Sequence, residues 1–241
     1  MSSGPPREPA RGGTGVRRYD GLMTDNKGKG AIFDLDGTLL DSMGVWDQID
    51  VDFLGRRGIE VPDDYMAKVS AMGFRDIAEY TIRRFGLSDT PEDLMDEWNR
   101  MAVRAYSTMV EAKPHAIEYV TRLKESGARL AIATTLPVEL RGPAMDHVGM
   151  SGLFDVVCGI EAVDHVGKDR PDIYRHTAGR LGVEPDKCTV FEDLLEGVRS
   201  AKKAGMTVWA MHDDSSDRSW PVICDEADGV LFDFDQAPLS L

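Results

Sequence analysis

Residues 31 to 42, AIFDLDGTLLDS, end an apolar run with two carboxylates, Asp34 and Asp36, separated by one residue and followed by Gly37 and Thr38. A carboxylate is a competent nucleophile at phosphorus once the phosphoryl charge is neutralised and the leaving oxygen is protonated. Asp34 fits the nucleophile. Asp36, turned off the strand at Gly37, fits an acid that protonates the leaving group and then activates water for a second half-reaction. Asp-Gly is also ordinary turn chemistry, so the rest of the chain must decide.

Three other segments carry matching groups: Thr134-Thr135, Gly167-Lys168 and Glu192-Asp193. Thr134 and the backbone amides of Gly37 and Thr38 would donate to the transferring oxygens, with Thr135 beside the substrate, and Lys168 would balance carboxylate and phosphoryl charge. Mg²⁺ takes oxygen ligands in an octahedron and keeps several waters. Asp34, the backbone carbonyl of Asp36, and Asp193 with Glu192 beside it would supply the protein's share. Taken singly, each segment has a plainer explanation. Thr134 can simply end a strand, Lys168 beside Asp169 and Arg170 can be a solvated loop, and Asp193 with Glu196 reads as a helix capping box. Their joint occurrence in this order is harder to dismiss.

These groups need elements that bring them to one rim. From Gly30 onward, short apolar runs alternate with segments of helical period, the pattern of parallel strands joined by helical crossovers. The spacing predicts strands at 31–35, 129–133, 154–158, 189–192, 207–211 and 230–232, and helices at 116–126, 138–148, 173–181 and 195–204. Runs such as LAIA and TVWAM are continuous rather than alternating, as expected of strands covered on both faces. The fold class is therefore α/β, a Rossmann-like doubly wound parallel sheet, in which ligands gather at the carboxyl ends of the strands.

One connection breaks the rhythm. Residues 41–113 hold no convincing strand, and WDQIDVDFLGRRG, FRDIAEYTIRRFG and PEDLMDEWNRMAVRAYSTMV each show helical spacing, with Gly58 and Gly86 where helices stop. Too long for a loop, this stretch reads as an inserted helical bundle. The expected organisation is a core of 29–40 and 114–241, a helical cap over 41–113, and a disordered tail over 1–28. The tail is rich in Gly, Pro and Arg, and Met23 fits a natural start.

The chain of 241 residues has a net charge of −14. Residues 1–29 carry three more cations than acids, so the remainder carries −17. Such a body repels phosphate backbones and anionic lipid, which argues against nucleic acid or a membrane surface as partner. Cys158, Cys188 and Cys224 are odd in number and lack metal-ligand spacing, which suits a reducing cytoplasm. A small phosphorylated metabolite is the expected partner, and the chain itself a monomer or small homo-oligomer. The five histidines show no paired spacing and receive no role.

FDLDGTLLDS resembles the first motif of the haloacid dehalogenase-like hydrolase superfamily, LAIATT the second at Thr134, GKDRPDIY the third at Lys168, and VFEDLLEGVRSAKKAGM the fourth at Glu192 and Asp193. The similarity runs from residue 30 to about 233. It implies a Rossmann-like core with an aspartyl nucleophile and Mg²⁺, and a helical cap inserted after the first motif. The branch it looks most like holds β-phosphoglucomutase, phosphoglycolate phosphatase and small sugar-phosphate phosphatases. An acid at position 36 favours phosphate esters over dehalogenation. Two departures concern the metal. Leu194 stands where many relatives have Ser or Thr, and Gly197 where many have a second Asp, whose part Glu192 is expected to take.

Specificity would come from the cap closing over the substrate. In SAMGFRDIAEY, Arg75 after Gly73 would reach a second anionic group, and Trp46, Asp47 and Asp50 would line the same cleft. The expected activity is a Mg²⁺-dependent phosphatase. A sugar phosphomutase is the second enzyme reading, and a non-enzymatic receiver-like phosphoacceptor module, which shares clustered acids, Thr, Lys and Mg²⁺, is the third. A receiver carries its phosphoacceptor on a later strand and has no bundle after the first, so the motif order argues against it.

Overall fold

The computed structural model describes residues 24–69, 72 and 74–241. In chain order the elements are β1 (Gly30–Phe33), β2 (Leu40–Asp41), α1 (Val45–Gly55), α2 (Tyr65–Val69), α3 (Phe74–Phe85), α4 (Pro91–Thr108), β3 (Glu111–Ala112), α5 (Ala116–Glu125), β4 (Arg129–Thr134), α6 (Val138–His147), β5 (Val156–Gly159), α7 (Asp172–Leu181), β6 (Cys188–Glu192), α8 (Leu195–Lys203), β7 (Thr207–Met211), α9 (Trp220–Glu226) and β8 (Gly229–Leu231).

Six strands form one parallel sheet in the order β5-β4-β1-β6-β7-β8. The alternation of side chains along β1 explains why helices must cover both faces. Ala31 and Phe33 face one cluster, with Tyr119 and Leu123 of α5 and Leu140 and Ala144 of α6. Ile32 faces the other, with Ile173 and Tyr174 of α7, Val198 and Ala201 of α8 and Ile223 of α9. Phe33 stacks on Phe191 of the neighbouring β6 at 4.6 Å between ring centroids. Because β1 lies between β4 and β6 in register, with Phe33 opposite both Ile132 and Phe191, the residues that follow these three strands emerge side by side.

The insertion is helical, as its spacing predicts. Helix α4 starts on a capping box, in which Thr90 accepts from the Asp93 amide at 3.2 Å and Asp93 accepts from the Thr90 amide at 3.1 Å. Leu94, Trp98, Ala102, Ala105 and Tyr106 make its buried face, and α4 also packs on α6 of the core. Contrary to the expectation of no strand between 41 and 113, β3 closes the insertion by pairing antiparallel with β2, Leu40 opposite Ala112 and Asp41 opposite Glu111. Two residues per strand leave no periodic trace in a sequence, yet the pair brings the entry and exit of the bundle together.

The predicted tail lies outside the described residues up to 23. Its last residues depart from the expectation, because Asn26 is fully buried, bonding to Ser126 and to the Leu239 carbonyl at 2.8 Å. Helix α9 was not predicted: it has seven residues and starts at Trp220-Pro221, too short for a helical period to register.

Candidate active site

Asp34 follows the last paired residue of β1, its amide still donating to the Phe191 carbonyl at 3.0 Å. Its carboxylate is nearly buried and ion-paired with Lys168, which is also paired with Glu192 at the end of β6. Glu192 is fully enclosed and accepts further bonds from Tyr174 Oη at 2.8 Å and the Leu194 amide at 3.2 Å. Asp193 accepts from Thr38 Oγ1 at 3.0 Å through Oδ1, while its buried Oδ2 has no hydrogen-bond partner. Oxygens of Asp34, Glu192 and Asp193 lie within 4.8 Å of one another.

The charge balance of this cluster is lopsided. Burial raises the Asp34 carboxyl, with Lys168 pulling it down and Glu192 and Asp36 pushing it up. Asp193 is raised well above the usual carboxylate range by burial, Glu192 and Asp34. Burial works against the Lys168 ammonium, but Asp34 and Glu192 hold it protonated. One cation faces three buried acids. The orphaned Asp193 oxygen and the excess negative charge are what a hard divalent cation with oxygen ligands would satisfy, so the residues fit Mg²⁺.

Asp36 sits one step outward. Ser42 Oγ and Tyr106 Oη both donate to its Oδ1, at 2.5 and 2.7 Å, leaving Oδ2 free to carry a proton. Burial raises this carboxyl, opposed by the two donors. Asp34, Asp36, Ser42, Trp46, Tyr106, Thr135, Leu136, Lys168 and Leu194 are among the residues around a cavity of about 300 Å³ between the strand ends and the insertion.

The turn behind the acids differs from expectation in one respect. Gly37 and Thr38 were expected to offer their amides to phosphate oxygens, but the Gly37 amide donates to Leu40 O at 2.9 Å and that of Thr38 to Leu35 O at 3.3 Å. Within residues 34–40, the amides of Leu35 and Asp36 are the two without a backbone acceptor among the described residues. Gly37 is instead needed for its shape: its φ is +76°, and a Cβ there would meet Asp193 Oδ2 at 2.4 Å. Thr38 orients Asp193.

Thr134 ends β4 fully buried, its Oγ1 accepting from the Leu136 amide at 3.0 Å, while Thr135 is exposed at the cavity. Helix α8 has Leu194 as N-cap with no side-chain bond, so Asp193 and Glu196 form no capping box. Arg170 pairs with Asp172 at the surface. Arg75 does not join the cluster, since it is exposed and paired with Glu92 at the start of α4; Gly73 lies outside the described residues. Sequence reasoning missed Ser42, Tyr106 and Tyr174. Ser42 closes the quoted FDLDGTLLDS, but nothing in the chain links Tyr106, 70 residues on, to Asp36.

Gly197 explains the altered fourth motif. A Cβ on it would lie 2.4 Å from Glu192 Cδ and 2.5 and 2.7 Å from its two oxygens. The bare helix position is the space that Glu192 fills, so a side chain at 197 would force the Glu192 carboxylate to shift.

The model of the haloacid dehalogenase-like hydrolases matches residues 29–205. The chain belongs to that family. It is 26% identical over 185 residues to hexitol phosphatase B of Escherichia coli K12, covering 73% of this chain and 80% of that protein. It is 29% identical over 177 residues to fructose-1-phosphate phosphatase YqaB of the same organism, covering 73% and 93%. The fold matches a candidate β-phosphoglucomutase from Thermotoga maritima with a TM-score of 0.75 at 23% identity, covering 84% of this chain and 94% of that one. The family and these relatives make the protein an enzyme of the phosphatase kind. Among the described residues no helix is long and apolar enough to cross a membrane.

Proposed function

We propose that the protein is a Mg²⁺-dependent phosphoric monoester hydrolase acting on a small phosphorylated metabolite, a sugar phosphate, through an aspartyl-phosphate on Asp34. The observation that carries this reading is the buried Asp34–Lys168–Glu192 chain beside the unpartnered Asp193 oxygen. Relatives named for hexitol and fructose-1-phosphate support the sugar class.

Asp34 Oδ would attack phosphorus while the ester oxygen departs with the proton from Asp36 Oδ2. Asp36, now a carboxylate, would then take a proton from water, whose oxygen displaces Asp34 and releases phosphate. Asp34, Asp193 and the Asp36 carbonyl would hold Mg²⁺, with Glu192 beside them, and its charge would ease the approach of one anion to another. Lys168 anchors Asp34 and offsets phosphoryl charge. Thr134, Thr135 and the free amides of Leu35 and Asp36 would contact the transferring oxygens. Residues 41–113 would act as a cap over the core, since Ser42, Trp46 and Tyr106 supply one wall of the catalytic cavity.

The test is phosphate release from a panel of phosphorylated metabolites with Mg²⁺ and with chelator, alongside Asp34→Asn and Asp36→Asn. Turnover is expected only with metal and not in Asp34→Asn; retained turnover in that variant would overturn the mechanism. Isomer formation from a hexose 1-phosphate in place of free phosphate would identify a mutase instead.

A further inference from the structure

Between α1 and α4 runs a groove that shares no lining residue with the catalytic cavity. One part, a cavity of about 480 Å³, is lined by the apolar Val45, Ile49, Met101 and Ala105 and reaches Met109 and Val110, just ahead of β3. The other part, of about 190 Å³, adjoins it at Arg56, Met101 and Arg104 and is completed by Glu97 and Arg100. Three of the five residues around this smaller cavity are therefore arginines, and its one acid is already engaged. Arg57 takes both oxygens of Glu97, at 2.8 and 3.3 Å, while Arg56 stays 4.0 Å away. Among the described residues, the Arg100 and Arg104 side chains make no hydrogen bond or ion pair, and they stand four residues apart on α4, a spacing at which like charges repel. The two carboxylates of the larger part have partners of their own: Asp52 accepts from Gln48 at 2.8 Å, and Asp41 lies 3.9 Å from Lys113.

Three guanidinium groups around one cavity, with no free carboxylate among them, stand out in a body whose net charge from residue 30 onward is −17. They repel one another until an anion joins them. A phosphate dianion matches such a set, because guanidinium groups donate in pairs to tetrahedral oxyanions, and the apolar stretch beside them would cover the rest of the molecule. The place of the groove gives its occupancy a consequence. Asp41 and Gly44 bracket Ser42 in the chain, and Ala105 adjoins Tyr106, so the groove is walled by the two segments whose hydroxyls donate to Asp36. We propose that this groove binds a small organic phosphate by its dianionic head, with an apolar body over Ile49 and Met101. Occupancy would brace α1 against α4 and so fix Asp36 for proton transfer from outside the catalytic cavity. The site stands on its own residues; the activation rests on the phosphatase reading and adds regulation to it.

Phenylphosphonate serves as the probe, since it has a dianionic head, an apolar ring and no ester oxygen to protonate. Titration calorimetry on the full chain in chelator isolates the groove, because Asp34, Glu192 and Asp193 without metal repel a phosphonate from the catalytic cavity. One site with a Kd of about 1 mM or tighter is expected. Arg100→Gln and Arg104→Gln, both at exposed positions, should each weaken it at least about fivefold. Arg83→Gln, on α3 and outside the groove, should leave it unchanged. With Mg²⁺ and a saturating concentration of the best ester of the panel, competition for the catalytic cavity is overcome. Phenylphosphonate should then raise kcat at least about twofold in the unsubstituted protein and not in the Arg100→Gln, Arg104→Gln double variant. Thermal unfolding of each variant controls for folding. No binding in chelator, or equal binding by the Arg100, Arg104 and Arg83 variants, overturns the site. Binding that leaves kcat unmoved overturns the activation. Binding by a protein that releases phosphate from no ester overturns the phosphatase reading, and the activation with it, while the site stands.

Discussion

Substituting Gly197 by alanine adds one methyl group to the third residue of α8, where helix propensity alone favours alanine by about 1 kcal/mol. The structure predicts the opposite sign for function. The new Cβ would stand 2.4 Å from Glu192 Cδ and 2.5 Å from Oε2, and Glu192 has nowhere to go. It is fully buried and held by Lys168, Tyr174 and the Leu194 amide, so any shift strains or breaks one of these contacts. Overpacking of this kind costs about 1–3 kcal/mol, so after the propensity gain folding should weaken by roughly 0–2 kcal/mol. For a chain of this size, that is a Tm lower by at most about 8 °C. Activity should suffer more, because any displacement of Glu192 releases Lys168 from one of its two anchors. A hydrogen bond between buried charged groups contributes about 1.5–3 kcal/mol, and its loss at the nucleophile's partner corresponds to a fall of about ten- to a hundredfold in kcat/KM. Differential scanning calorimetry and phosphate release on the same preparation measure both. Glu192→Asp in the Gly197→Ala background withdraws the carboxylate by one methylene and should recover part of the loss. A Gly197→Ala protein with raised Tm and unchanged kcat/KM would refute the reasoning, since Glu192 would then be free to move.

Two further outcomes follow from buried acids. Mg²⁺ at a hundred times its dissociation constant should stabilise the protein by about 2.7 kcal/mol; Asp193→Asn should abolish most of that thermal shift, and an undiminished shift would remove Asp193 from the metal site. Burial, with Asp47 adding to it, pushes the Asp50 carboxyl up to about 7, so charging it disfavours the folded state as pH rises from about 4, its unfolded value, to 7. Asp50→Asn should therefore raise Tm at pH 8 and change it little at pH 4, and equal effects at both pH values would exclude the linkage.

The sequence carried the strand ends well because they combine two independent signals. Continuous apolar runs mark LAIA and TVWAM as doubly covered strands, and the polar residues that follow Phe33, Ala133 and Phe191 fall at the carboxyl ends of three adjacent strands once the order β4-β1-β6 is known. What stayed hidden depends on pairing across long separations. The β2–β3 pair joins residues about seventy apart through two residues a side, and the Arg75–Glu92 ion pair is decided by how α3 meets the start of α4. The amides of Gly37 and Thr38 read as free donors in a Gly-Thr turn, but the turn closes on Leu35 and Leu40 and uses both. Gly197 read as a missing ligand; only the position of Glu192 reveals it as the vacancy that lets that carboxylate enter.

Asp36 shows how the insertion reaches into the chemistry. Both donors to its Oδ1 come from beyond β2: Ser42 ahead of α1, and Tyr106 near the end of α4. Burial and the Asp36 charge push the Tyr106 phenol above its usual range, so it remains a donor at any working pH. Tyr106→Phe deletes one of the two bonds that fix the acid. The loss, about 1.5–3 kcal/mol for a bond to a charged group, should appear only where the departing oxygen requires a proton. Alkyl phosphates meet that condition, whereas p-nitrophenolate leaves without one. Because kcat/KM reports the steps up to departure of the leaving group, it should fall about ten- to a hundredfold for a hexitol phosphate and only a few fold for p-nitrophenyl phosphate. Equal losses on both esters would mean that Tyr106 supports the fold and not the acid. A selective loss would mean that any displacement of α4 from the core also removes a hydrogen bond from Asp36, so that proton transfer awaits the seated insertion.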